Sequence, residues 1–366
     1  MLSSNFPILA ILCTILALVN SERKPLIHYG RCKVQGKIGY CLNPQQCWEK
    51  SVNFTMGNRT LCPNQGQNNL VCCRKNPVER FTTPQTVVLP QPGVCGIDAN
   101  GIADRVIAGT VSGIMEYPWM ALLRYTSDGE EYSHLCGGSL IHERWVLTAA
   151  HCVPARDADQ QLKQVRLGEW NTTSSPDCQQ FRTDRQCAPP HIDVDIERII
   201  VHELYTPLNN YANDIALIRL NRTVVFTNFI TPICLPAATN NEEYAYDTYA
   251  MEIAGWGNTE QRTFGGNTIK LKAVLNVVSI ANCRQIYAQL VSGQMCAGGD
   301  TSAGTCRGDS GGPLMFLDTM STSRYYVAAG IISLGSSSCN NRGRPMIFTR
   351  VEHYVNWIIG AMSINS

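Results

Sequence analysis

Almost no net charge is carried by this chain: 30 lysines and arginines stand against 29 aspartates and glutamates, a formal charge of +1. That balance excludes a bulk electrostatic pull toward nucleic acid or an anionic membrane surface, and no segment argues for a polyanion partner. Long apolar runs are missing as well. Beyond Ser21 no segment reaches about 18 uninterrupted apolar residues, so no membrane-spanning helix is expected in the mature chain. Nor does a histidine stand at metal-ligand spacing from Cys72, Cys73 or Cys296, which argues against zinc.

What is present is a chain of 366 residues, 44% hydrophobic, long enough for two domains and a good core. Residues 7–19 form an apolar stretch too short to span a bilayer comfortably, with Val19 and Ser21 suited to small-residue cleavage, so residues 1–21 read as a signal peptide. Of 17 cysteines, Cys13 leaves with that peptide and an even sixteen remain, as expected of a secreted, extracellular protein in an oxidising compartment. Six of them, Cys32, Cys41, Cys47, Cys62, Cys72 and Cys73, crowd a segment rich in Asn, Gln and Gly. Such a segment is too small and polar for a core without staples, and spacing alone leaves its connectivity open. Residues 74–94, with Pro77, Pro84, Pro90 and Pro92, show neither helical nor strand period and are expected to be an extended, mobile linker.

Three words downstream carry chemistry: Thr148-Ala149-Ala150-His151-Cys152, Asn213-Asp214-Ile215-Ala216-Leu217 and Gly308-Asp309-Ser310-Gly311-Gly312-Pro313. A serine hydroxyl must lose its proton as it attacks a carbonyl carbon. An imidazole can take that proton and later return it to the leaving amine, which gives His151 the role of base and Ser310 that of nucleophile. Asp214 would hold the correct tautomer and stabilise the imidazolium. Glycines around Ser310 let backbone N–H groups approach a developing oxyanion, with Gly308 and Ser310 as the donors, each worth roughly 3 kcal/mol of barrier.

The order His, Asp, Ser and the words around each resemble the chymotrypsin-like serine proteases over residues 106–366. The resemblance implies an all-β fold of two packed antiparallel β-barrels with the triad at their junction, closed by a short helix near Tyr354–Ile358. The cysteine-rich segment, ending in Cys72-Cys73 after Asn68-Asn69-Leu70-Val71, resembles the clip domain found ahead of arthropod proteases. That family implies a clip domain over residues 22–73 and the pairs Cys32–Cys72, Cys41–Cys62 and Cys47–Cys73. For the catalytic portion it implies Cys95–Cys234, Cys136–Cys152, Cys283–Cys296 and Cys306–Cys339, and Cys178 with Cys187 remain to close the loop from Glu169 to His191.

Asp104-Arg105-Val106-Ile107-Ala108-Gly109 is similar to the family's activation site, making residues 74–105 a linker and activation segment. Cleavage after Arg105 would free the amine of Val106, which the resemblance pairs with Asp309. In the uncut chain Asp309 is expected to point elsewhere, with the Gly308 N–H misplaced, because an unpaired buried carboxylate is costly. At the position six before the nucleophile, where trypsin-like members carry Asp, stands Gly304, and no other acid is obviously placed to compensate. With Ser333, Leu334 and Gly335 as a wall and Met346 where the family has Gly, the specificity pocket is expected to refuse basic side chains and favour medium aliphatic ones. Glu169 and Asp177, with carbonyls of Asn171 and Ser174, offer hard oxygen ligands and suggest a structural Ca²⁺; no other cofactor is required. Sequons stand at Asn53, Asn58, Asn171 and Asn221. The leading expectation is a secreted endopeptidase zymogen in a haemolymph cascade of innate immunity, with protein substrates, an upstream activating protease and a serpin-type inhibitor as partners. The alternative is a protease-shaped cofactor that scaffolds such a cascade.

Overall fold

The structure, a computed structural model, describes residues 87–98 and, with short interruptions, 110–365, together with the backbone of three strands between residues 31 and 73. The chain divides into two compact units, Met1–Thr83 and Pro84–Ser366. In the first, β1 (Arg31–Val34), β2 (Lys37–Leu42) and β3 (Val71–Cys73) form an antiparallel sheet in which Cys41 faces Cys72 and Tyr40 faces Cys73. The signal peptide, the three clip-domain disulfides and the sequons at Asn53 and Asn58 fall outside the described residues and side chains.

In the second unit a short β4 (Thr110–Val111) precedes a closed barrel. Its strands are β5 (Met120–Thr126), β6 (Ser133–His142), β7 (Trp145–Thr148) and β8 (Gln161–Leu167), then, past a hairpin of β9 (Cys178–Phe181) and β10 (Asp184–Cys187), β11 (Ile192–Val201) and β12 (Ala216–Leu220). The order is β11-β12-β7-β6-β5-β8, and β8 returns to β11. A second set, β13 (Ala250–Gly255), β14 (Leu271–Val278), β15 (Gln294–Ala297), β16 (Pro313–Asp318), β17 (Tyr325–Leu334) and β18 (Met346–Arg350), runs β13-β16-β17-β18-β15-β14 and closes through β13–β14. Two six-stranded antiparallel barrels result, as the resemblance implied, with β4 added beside β14.

Burial explains why the two barrels stay together. β8 buries Leu162, Val165 and Leu167 between more exposed neighbours, the signature of a strand with one wet face. β5 and β17 are buried along nearly their whole length, and both contribute side chains to one shared apolar cluster. Trp119, Leu140 and Val146 of the first barrel share one apolar cluster with Met315, Tyr326 and Ile331 of the second. Across that seam the Trp119 indole N–H points at the Met315 sulfur, 3.0 Å away, and the ring lies 5.4 Å from Tyr326.

The terminal helix is longer than expected. α2, which follows the seven-residue α1 (Ile280–Ile286), spans Val351–Ile364 and seats Val351, Tyr354, Val355, Ile358 and Met362 on the apolar cluster shared by both barrels as one helical stripe. Part of the expected mobile linker is also structured. Val87 and Leu89 pack on this same cluster, the Val87 N–H lies 3.4 Å from the Ser363 hydroxyl, and Cys95–Cys234 ties the strand-like end down. Gly96 then threads between Pro232 and Tyr326 at φ +69°, where a Cβ would come within 2.5 Å of the Tyr326 carbonyl oxygen. The run Val87-Val88-Leu89-Pro90-Gln91-Pro92 lacks a strand period, which is why this packing was not legible. Among the described residues no helix is long and apolar enough to cross a membrane.

Candidate active site

β7 delivers His151. The strand ends at Thr148, and a single 3₁₀ turn over Ala150–Cys152 swings the imidazole out while Cys152 is pinned to β6 by the disulfide to Cys136. These two cysteines and His151 lie close enough to suggest a metal cluster, but the disulfide leaves no thiolate to bind one.

Asp214 sits just before β12, fully buried. One carboxylate oxygen accepts the His151 backbone N–H at 2.9 Å and the other lies 2.7 Å from Nδ1. The second oxygen also accepts the Ser333 hydroxyl at 2.6 Å, and the Asp214 carbonyl accepts the Thr349 hydroxyl at 2.7 Å. Three of these contacts hold the buried carboxylate and the fourth holds the backbone of the same residue. Ser333, expected only as pocket wall, here spends its hydroxyl on the acid. Asn213 takes a positive φ of 58° and receives the Tyr354 hydroxyl at 2.9 Å, so α2 reaches into the site. Tyr211, also at positive φ, stands nearly perpendicular to the imidazole, with 5.8 Å between the ring centres. Neither Thr349 nor Tyr211 had any signal in the sequence, since only the fold brings them to the triad.

The loop bearing Ser310 is laid against this platform. Gly137 N–H donates to the Ser310 carbonyl at 2.7 Å, and Gly311 N–H to Ile332 at 2.9 Å. Gly311 must be glycine: φ is +79° and a Cβ would collide with the Thr148 hydroxyl, itself bonded to the Gly137 carbonyl at 2.8 Å. Gly308, at φ +101°, has its missing Cβ only 3.0 Å from the Gly257 Cα. Serine loop and histidine strand are therefore locked by backbone contacts in which side chains have no room.

Asp309 departs from expectation. In this continuous chain its carboxylate does not turn away but accepts the N–H of Gly257 at 2.9 Å and of Cys306 at 3.0 Å. These two donors offset only part of the cost of burial, which pushes its carboxyl up to about 6. Arg105 and Val106 lie outside the described residues.

The residues expected to line the specificity pocket pack against one another. Met346, 1% exposed, places its sulfur 3.0 Å from the Thr305 N–H and 3.2 Å from its hydroxyl, bridging from β18 to the Gly304–Thr305 wall. Gly335 faces the same spot, with Thr305 Oγ1 2.8 Å and Met346 Cγ 3.9 Å from where a Cβ would be. Asp300 is turned to the surface, accepting the Asn276 amide. Disulfides Cys283–Cys296 and Cys306–Cys339 brace the two sides of this region.

On the first barrel, Glu169 and Asp177 converge, both buried. Asp177 accepts the N–H groups of Trp170 and Asn171 at 2.9 and 2.8 Å and the Ser174 hydroxyl at 2.6 Å; Arg166 and His191 approach Glu169 at 3.2 Å. Burial, reinforced by the Asp177 charge, pushes the Glu169 carboxyl up to about 7. Two buried acids whose repulsion Arg166 and His191 offset only in part suit a hard divalent cation. The Cys178–Cys187 disulfide closes the hairpin beside them. Of the two sequons here, Asn171 folds its carbonyl oxygen back onto Thr173, whereas Asn221 is exposed.

The model of the family described as Trypsin matches residues 106–358. The chain is 42% identical over 366 aligned positions to "Serine protease ea" of Drosophila melanogaster, covering 92% of both. Similarity extends to the "Spaetzle-processing enzyme" of the same organism, 40% identical over 87% of this chain and 81% of that one. "CLIP domain-containing serine protease HP8" of Bombyx mori is 40% identical over 76% and 74%. A crystal structure of the Drosophila Grass clip serine protease of the Toll pathway aligns over 93% of this chain and 99% of that chain, at a TM-score of 0.63 and 29% identity.

Proposed function

The chain belongs to the trypsin family and, within it, to the insect clip-domain serine proteases; from a serine endopeptidase of that kind, we propose a secreted zymogen that is cut after Arg105 and acts in an extracellular immune cascade. The similar proteins point to that setting through their names, among them "Spaetzle-processing enzyme" and "Melanization protease 1". One observation carries the catalytic reading: a fully buried Asp214 grips both the backbone and the ring of His151 beside the Ser310 loop.

In this mechanism His151 removes the Ser310 proton as Oγ attacks the scissile carbonyl. The oxyanion forms against the N–H groups of Gly308 and Ser310, and the proton passes from His151 to the leaving amine. Water then repeats the attack on the acyl-enzyme. Asp214 holds Nδ1 protonated throughout, and Ser333 and Thr349 hold Asp214.

Activation supplies the one charge the site lacks. Asp309 already faces the Gly257 and Cys306 N–H groups, so the freed Val106 amine completes a half-built anion site rather than recruiting a distant carboxylate. Protein substrates are cut after apolar residues of medium size, because a guanidinium entering beside the Met346 thioether would find no acid. Glu169 and Asp177 would hold a structural Ca²⁺, which would relieve their repulsion and brace the loop. An upstream protease and a serpin-type inhibitor complete the cascade.

The test is to cleave the recombinant precursor after Arg105 and titrate it with a covalent serine-directed probe. Stoichiometric labelling of Ser310, absent in Ser310→Ala and in the uncut chain, is expected. Full cascade activity of Ser310→Ala in reconstituted haemolymph would instead favour the scaffolding cofactor.

A further inference from the structure

The segment just downstream of the proposed cut is held with unusual completeness. Ser112 N–H donates to the Lys270 carbonyl at 3.0 Å, and the Ser112 carbonyl accepts the Trp170 indole N–H at 2.9 Å. Gly113 N–H donates to the Glu116 carboxylate at 2.7 Å, and Ile114 N–H to the Gln179 side-chain oxygen at 2.8 Å. The Gln186 amide reaches the Met115 sulfur at 3.2 Å. Buried Ile114 packs with Trp170 and Ala188, and Met115 leans on that cluster. Trp170, Gln179, Gln186 and Ala188 all belong to the loop between β8 and β11, whose hairpin Cys178–Cys187 closes. That loop is in turn stitched to the second barrel through Lys270 N–H to the Trp170 carbonyl at 2.9 Å and Thr172 N–H to Thr268 at 2.8 Å.

A surface hairpin needs none of these contacts to fold, and the segment it grips begins only six residues after Val106. Resting on the activation reading above, we propose that the β9–β10 hairpin is a clamp for the start of the mature chain, with Gln179 and Trp170 as positioning residues for the docking of the Val106 amine on Asp309. The two-residue β4 pairs with β14 from Thr110, four residues after Val106, and the clamp holds the residues that follow it, so this short anchored segment confines the new amine to within about 14 Å and raises its effective concentration at the acid. Without the clamp, only the two β4 residues, the Ser112 N–H and the Gly113 N–H would keep their partners, and the rest of residues 112–115 would have to be ordered at the moment of docking. Ordering even one residue corresponds to roughly a tenfold loss in the docking constant.

The experiment uses the full, Arg105-cleaved protein. Acylation of the Val106 amine by a small amine-reactive reagent is followed by mass spectrometry, alongside the fraction of Ser310 titrated. Gln179→Ala is expected to speed Val106 labelling about tenfold and lower the titratable fraction, and Gln179→Glu, which keeps the acceptor for Ile114 N–H, to behave as wild type. Cys178→Ser/Cys187→Ser should act in the same direction, giving a second route should one variant fold poorly. Protection of Val106 that is unchanged in both Gln179→Ala and the double serine variant overturns the clamp and leaves the docking reading intact. Free labelling of Val106 in the cleaved wild type, at the rate of an unstructured amine, overturns both.

Discussion

Replacing Met346 by glycine should convert a shallow pocket into a deep one. The Met346 side chain is buried between β18 and Thr305, so its removal opens the space now filled by a four-atom thioether chain and takes the sulfur away from the Thr305 N–H and hydroxyl. A Phe or Tyr side chain buries 150–250 Å² when fully enclosed, which at about 25 cal/mol/Å² amounts to roughly 4–6 kcal/mol. Wild type can realise only a fraction of this, because Met346 stands where the ring would go. If half the difference appears in the transition state, kcat/KM for Phe relative to Val on the acyl side of the cut bond rises by about 10² in Met346→Gly. The cavity costs about 2–4 kcal/mol of stability, so the variant should melt lower yet remain folded. The assay is a peptide library with single substitutions at that residue, each variant normalised to the sites titrated by a serine-directed probe. A titratable Met346→Gly that keeps the wild-type order, or a wild type that prefers Arg or Lys, would refute the filled-pocket reasoning.

Asp214→Asn should lower kcat by roughly 10⁴ with little change in KM, the magnitude seen for the acid of the Ser-His-Asp template, and a variant within tenfold of wild type would contradict the role given to Asp214. Asp309 has a carboxyl raised by burial, so the uncut chain binds more protons folded than unfolded between about pH 4 and 6; its contribution is favourable below pH 4 and is lost as pH rises through 6. Melting of the precursor should show a decline over that window amounting to at most about 3 kcal/mol, absent in Asp309→Asn and absent after cleavage, when the Val106 amine neutralises it. Glu169, raised to about 7, predicts that millimolar Ca²⁺ stabilises the protein more at pH 8 than at pH 5, because the ion must displace a proton at the lower pH. Equal melting temperatures with Ca²⁺ and with chelator at pH 8 would remove calcium from the loop.

Much of the architecture was legible because a few words constrain it tightly. Gly311 shows why: its positive φ and the Thr148 hydroxyl beside it admit no side chain, so the glycine-rich word around Ser310 reports a backbone geometry and not merely a preference. Two readings went differently. The segment over Val87 and Leu89 lacked any strand period, and only the tertiary fold gives it a seat, on the apolar cluster to which α2 also contributes. Asp309 was expected to shun burial without a cation, but the backbone N–H groups of Cys306 in its own loop and of Gly257 just past β13 hold it inward, offsetting part of the cost of burial.

Local chemistry is what a linear chain can state by itself: which residue can be a nucleophile, which a base, where an acid is missing, and that cysteines in number mean an oxidising compartment. Contacts between distant segments belong to the folded chain alone. Ser333 and Thr349 turning to Asp214, Met346 crossing to Thr305, and Gln179 reaching Ile114 each join residues separated by at least 40 positions, and they arise only when two barrels close and their buried faces meet. Sequence specifies the reacting groups because their chemistry is intrinsic; packing decides their environment, because burial and hydrogen bonding are properties of neighbours that chain order does not name.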